Sequence, residues 1–118
     1  MIRYSLPYPP TVNTLFDNRK GGRVKSEGYQ RWIRAAQGAI LEQGRKRLHG
    51  PVSLAMALVR PDKRRRDLSN TIKAVEDLLV SMAVIDDDSL VQRISIQWVG
   101  AGDPCVVIVQ AAEVEMAA

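Results

Sequence analysis

At 118 residues the chain is long enough for one compact domain, spanning 1–118, and leaves little room for a second. Apolar residues make up 46 % of it, enough for a genuine core, although a domain of this size gains from dimerisation. Cys105 is the only cysteine, which excludes an internal disulfide or a cysteine-built zinc site. Arg3, Tyr4 and Pro7 interrupt the opening residues, and no apolar run approaches the roughly 20 residues that span a bilayer. A soluble cytoplasmic protein with no membrane partner is therefore expected.

The net charge of +4 hides an uneven distribution. Residues 1–66 carry 15 Lys/Arg against four Asp/Glu, whereas residues 67–118 carry two against nine. A basic half suits a polyanion such as nucleic acid, and an acidic half can hold a divalent cation. Two solvated surfaces of opposite sign are the plain alternative.

In chain order, Met1–Leu6 reads as a first strand, stopped by Pro7, Pro9 and Pro10, which offer no ladder donors. Thr11–Lys25 is polar and basic, contains Gly21-Gly22, and reads as a loop long enough to be either functional or mobile. Ser26 is a suitable N-cap for a helix to about Leu48, with Tyr29, Trp32, Ile33, Ala36, Ile40 and Leu41 at helical spacing. After the Gly50-Pro51 break, Val52–Val59 is an apolar run suited to a buried strand.

A second helix is predicted from about Ser69 to Met82. At about 100° per residue, Leu68, Ile72, Val75, Leu78, Leu79 and Met82 share an arc of roughly 120°. Asp67, Asn70, Lys73 and Asp77 share the other side, so the polar face carries the chemistry. Leu90–Val99 alternates, with Ile94, Ile96 and Trp98 on one side, and Gly100–Pro104 turns the chain toward Cys105–Val109 as its expected hairpin partner. The order implies an α/β domain, a mixed sheet of about four strands with two helices packed on it.

Asp86-Asp87-Asp88 is the densest cluster of charge in the chain. An exposed, solvated turn explains an acidic triplet in isolation. Here Asp67 opens the helix and Asp87 closes the connection after it, so folding the helix onto the sheet can bring the two together. Hard cations such as Mg²⁺ take oxygen ligands, often a few carboxylates with water and substrate phosphate. Such a metal can orient a hydrolytic water and polarise a phosphodiester. Lys73 could hold the scissile phosphate, or simply pair with Asp77 at i+4. The run Lys63-Arg64-Arg65-Arg66 directly before Asp67 reads as a phosphate grip, extended by Arg19, Lys20, Arg23 and Lys25. Trp32, Trp98 and Cys105 read as core, Tyr8, Phe16 and Tyr29 could contact bases, and His49 is given no role.

The stretch Arg64-Arg65-Arg66-Asp67-Leu68-Ser69-Asn70, followed by Lys73, Asp77 and Ile85-Asp86-Asp87, resembles the RusA family of Holliday-junction resolvases. The opening Leu6-Pro7-Tyr8-Pro9-Pro10-Thr11-Val12-Asn13 is similar to that family's N-terminal proline motif. The resemblance implies a homodimeric, Mg²⁺- or Mn²⁺-dependent endonuclease, often phage-encoded, that nicks branched DNA at four-way junctions in paired fashion. It implies that Asp67 and Asp87 are essential acids, that Lys73 is the important lysine, and that Asp86 is the first member of the acidic pair. Metal would then meet Asp67, Asp86, Asp87 and position 69. The departure is at that position: Ser69 stands where the family pattern carries an aspartate. A hydroxyl is a poorer donor to a hard dication, so weaker metal binding, substitution by Asp88 or Asp86, or junction binding with slow cutting all follow as alternatives.

Overall fold

The computed structural model describes residues 1–112. Among them, the strands are β1 (Ile2–Leu6), β2 (Phe16–Arg19), β3 (Gly22–Lys25), β4 (Val52–Val59), β5 (Val91–Val99) and β6 (Cys105–Ala111). The helices are α1 (Glu27–Gln43) and α2 (Ile72–Ser81), and short 3₁₀ turns occupy Val12–Thr14, Leu68–Thr71 and Asp88–Leu90.

Alternation builds the main sheet. Its order is β1-β6-β4-β5, antiparallel except for the parallel β4–β5 pair. The register aligns Ile2 with Val109 and Leu54, Tyr4 with Val107 and Met56, and Leu6 with Cys105 and Leu58, giving three apolar rows on one face. The period of two sends all of these side chains inward together. Onto those rows α1 lays Tyr29, Trp32, Ala36 and Ile40, and α2 lays Ala74, Val75, Leu78 and Leu79, all buried. The expected α/β domain with a mixed four-stranded sheet and two helices is the one observed.

Three details depart from the sequence-based expectation. Residues 11–25 are not an unstructured loop: β2 and β3 form a separate hairpin, turned by Gly21 and Gly22 at φ 99° and 129°. That backbone region favours glycine. The strand β6 is not the hairpin partner of β5. It inserts between β1 and β4, while β5 reaches its place beside β4 through α2. A parallel pair needs such a crossover, and the crossover leaves β5 at the sheet edge. Its row Ile94, Ile96 and Trp98 is consequently only half-covered, with Ile94 39 % exposed and Arg60 lying 4.5 Å over the Trp98 ring. Finally, α1 ends at Gln43 and not near Leu48. The Gln43 carboxamide bonds the Ser5 backbone on both sides, and the Tyr4 hydroxyl donates to Gly44 and accepts from the Lys46 N–H, tying the helix end to β1.

Candidate active site

The connection after α2 sorts the three neighbouring aspartates into different environments. Asp86 is turned toward the Gly50 turn. Its Oδ1 accepts from the Arg47 guanidinium at 2.8 and 3.1 Å and lies 3.0 Å from His49 Nδ1, while its Oδ2 accepts from the Gly50 N–H at 3.0 Å. Arg47, then the Gly50 amide, hold its carboxyl well below the usual carboxylate range, at about 2. The family resemblance implies that Asp86 is one of the metal-facing acids, but both of its oxygens are engaged in joining the β4 approach to the α2 exit. His49, given no role, is one of the partners. A carboxylate with a depressed pKa stabilises the fold above its unfolded value, and that contribution disappears as pH falls through the folded value. Asp86→Asn should therefore lower the thermal midpoint at pH 7. The gap from the parent should close between about pH 4 and pH 2 in a calorimetric pH series.

Asp87 occupies the N-cap of the 3₁₀ turn Asp88–Leu90. Its Oδ2 accepts from the Ser89 N–H at 3.1 Å and from the Ser89 hydroxyl, and these bonds lower its pKa. Asp88, the first residue of the turn, is exposed and lies in the field of α2. Its charge raises the pKa of Lys73 and, after the dominant effect of burial, that of Glu76.

Asp77, Asp87 and Asp88 line one groove of about 390 Å³ between α2, α1 and the hairpin, with Lys25, Phe16 and Tyr29 on its other wall. Lys73 donates to Asp77 at 3.0 Å across one helical turn, and that bond is the main cause of its raised pKa. Asp77, read from the sequence on the polar face of the helix and as the i+4 partner of Lys73, also lines the groove, a position its spacing does not reveal. Glu76, half-buried on the same helix, carries no motif to mark it.

Asp67 stands at the approach to α2, as the extended residue before the 3₁₀ turn Leu68–Thr71. Its side chain makes no capping bond, and it is exposed, as is Ser69. Asp67 is not among the residues lining the Asp87–Asp88 groove, and no three His, Cys, Asp or Glu side chains gather closely enough among the described residues to cage a metal.

The basic run is organised by an acid that sequence reasoning passed over. Asp62 receives Arg66 through two hydrogen bonds, at 2.8 and 3.2 Å, and the Arg64 N–H at 3.0 Å. Arg66 chiefly keeps its carboxyl below the ordinary range. Lys63 and Arg65 are exposed and pair with no acid among the described residues. On the hairpin, Arg23 lies 4.5 Å over the Phe16 ring and Lys25 lies 6.0 Å over Tyr29, while Arg19 sits 3.8 Å from Asp17. Lys20 is exposed beside the hairpin turn.

A family model described as endodeoxyribonuclease RusA matches residues 7–110. The chain belongs to the RusA family. Among RusA proteins, the crossover junction endodeoxyribonuclease of Enterobacteria phage HK97 is 31 % identical over 88 residues, 73 % of this chain and 72 % of its own. The crossover junction endodeoxyribonuclease of Escherichia coli strain K12 is 34 % identical over 91 residues, 74 % of this chain and 73 % of its own. That of Enterobacteria phage 82 is 33 % identical over the same length. The RusA match begins at the proline segment and ends in β6, so it contains every residue of the groove and of the basic run. No helix of the described residues is long and apolar enough to cross a membrane.

Proposed function

We propose that the chain is a metal-dependent endodeoxyribonuclease that nicks branched DNA, with the four-way junction as its substrate and a homodimer as its working form. The observation that carries this reading is the groove itself. Asp77, Asp87 and Asp88 face one space with Lys25 on its opposite wall, and Lys73 is bonded to one of its acids. Negative charge within a basic surround is the arrangement that draws a phosphodiester to a cation.

The donors are oxygens, which suits Mg²⁺ or Mn²⁺, and their spacing suits an open site over a cage: Mg²⁺ commonly sits on one or two carboxylates with water and substrate phosphate. Asp88 and Asp87 would hold the ion from the groove, and Asp67, outside the groove lining, is assigned to it by the family pattern alone. When bound, the cation supplies an activated water and polarises the scissile phosphate. Lys73 stays protonated, because Asp77, Asp88 and Glu76 all favour its charge. Released from Asp77 by an incoming phosphate, it can hold a non-bridging oxygen as charge develops. Lys63, Arg65, Lys20 and Lys25 would grip the backbone, with Arg64 and Arg66 shaped by Asp62 and with Arg19 and Arg23 on the hairpin. Two like sites related by a two-fold axis match the near-symmetry of a junction, which is the mechanical reason for two copies. Incubated with a labelled four-way junction and with a linear duplex of the same arm sequence, the protein should incise the first and spare the second. Equal incision of both would overturn the junction assignment.

A second reading, junction binding with reduced cutting, is favoured by Ser69, which stands where the family pattern carries an aspartate. Position 69 is exposed, and Asp begins helical turns as well as Ser does, so Ser69→Asp should fold normally. It should lower the Mg²⁺ concentration needed for half-maximal cleavage. If Asp88 already serves in that place, Ser69→Asp should instead rescue an impaired Asp88→Ala protein. No change in metal dependence in either background would remove position 69 from the site.

A further inference from the structure

A second cleft adjoins the acidic groove and shares two of its residues, Phe16 and Tyr29. It encloses about 650 Å³ between the proline segment, the Val12–Thr14 turn, the hairpin and the start of α1. That volume falls within the range of small-ligand sites and accommodates a nucleotide. Of the three rings lining it, Phe16 is half-buried and open to the cleft, while Tyr29, edge-on to it at 6.0 Å, and Trp32, 6.4 Å beyond, are buried and back it from the core. Trp32 donates its indole N–H to the Pro7 carbonyl at 3.0 Å, which fixes the proline wall against α1.

Most polar groups of the cleft are engaged: Thr14 bonds Thr11, Ser26 bonds the Thr14 carbonyl, Asp17 lies 3.8 Å from Arg19 and Arg66 is held by Asp62, which leaves two side chains unused. The Tyr8 hydroxyl is buried without a hydrogen-bond partner. The Asn13 carboxamide is exposed and makes no hydrogen bond among the described residues. Arg66 lines the cleft, 5.9 Å over the Tyr8 ring. A carboxamide can bond a base edge in two places, and aromatic faces accept any base by stacking.

Resting on the branched-DNA reading above, we propose that this cleft receives one nucleobase unstacked from the branch point, anchoring the strand whose phosphodiester enters the adjoining groove. Bases at a branch have lost part of their stack, so drawing one out costs less there than within an arm. Phe16, which lines both spaces and carries Arg23 on its face, separates base from phosphate. Asn13 and the Tyr8 hydroxyl meet the base edge. Burial pushes the Tyr8 phenol up, so it remains a protonated donor.

The test is a double cycle on the full chain in metal-free buffer. Affinity is measured for a four-way junction, for the same junction with abasic sites at the nucleotides flanking the branch, and for one with abasic sites mid-arm. Each is tested with the parent protein, Asn13→Ala and Phe16→Ala. Loss of the branch bases should weaken parent binding about tenfold or more, the scale of one stacked base, and mid-arm loss should not. Phe16→Ala should lose a similar factor on the intact junction and nothing further on the branch-abasic one. Asn13→Ala, on an exposed residue, gives the same cycle if Phe16→Ala fails to fold. Parent insensitivity to the branch bases, or losses that multiply, would overturn the base site while leaving junction preference intact. Absence of any preference for the junction over a duplex would remove this proposal together with the reading on which it rests.

Discussion

Asp88→Asn should slow junction cleavage by about 10²–10³-fold, the scale for removing one group that stabilises transition-state charge, and leave junction affinity nearly unchanged. The expectation follows from how the turn distributes its acids. Asp86 is held by Arg47, His49 and Gly50, and Asp87 caps the turn through Ser89. The exposed Asp88 side chain lines the groove and makes no hydrogen bond among the described residues. Asn caps as well as Asp, so Asp87→Asn preserves the turn and tests charge alone. Asp67→Asn should also abolish cutting without loss of binding, since Asp67 makes no capping bond for the fold to lose. If Asp88→Asn cuts at the parent rate while Asp87→Asn is dead, the groove's ligand is the capping aspartate and the two residues exchange roles.

Removing Lys63 and Arg65 together should produce the largest change in DNA affinity. Each phosphate that is no longer neutralised flattens the dependence of log affinity on log salt by about 0.9, so the pair should reduce the slope by about 1.8. These two cations are exposed and pair with no acid among the described residues, whereas Arg64 and Arg66 are already drawn to Asp62. The full replacement of Arg64, Arg65 and Arg66 by alanine should also weaken binding and flatten the slope. Part of its effect comes from freeing Asp62, whose charge then opposes the phosphate. Binding titrations from low to moderate salt distinguish these cases. A double variant with the parent slope would place the phosphate grip elsewhere.

What was legible in the sequence depended on range. Local periodicity and caps were readable: Ser26 begins α1, Val52–Val59 is a buried strand, and Lys73 pairs with Asp77 at helical spacing. The Gly21-Gly22 pair reads as part of a loop, because charged strands such as Asp17–Arg19 carry no apolar alternation to mark the hairpin on either side of it. The placing of β6 between β1 and β4 is a choice among distant partners that no local pattern encodes. The same limit governs the site. Three consecutive aspartates are chemically alike in sequence, and only the turn geometry gives one to Arg47, one to Ser89 and leaves one unbonded in the groove lining. Asp62, embedded among cations, adds only to a charge count until the fold brings Arg66 onto its carboxylate.

The central claim, a metal-dependent nuclease for branched DNA, is tested most directly by strand-resolved cleavage of a synthetic four-way junction with Mg²⁺, with Mn²⁺ and with EDTA. The account predicts paired nicks on opposing strands near the branch with either metal and none with EDTA. Nicks that persist in EDTA would contradict it.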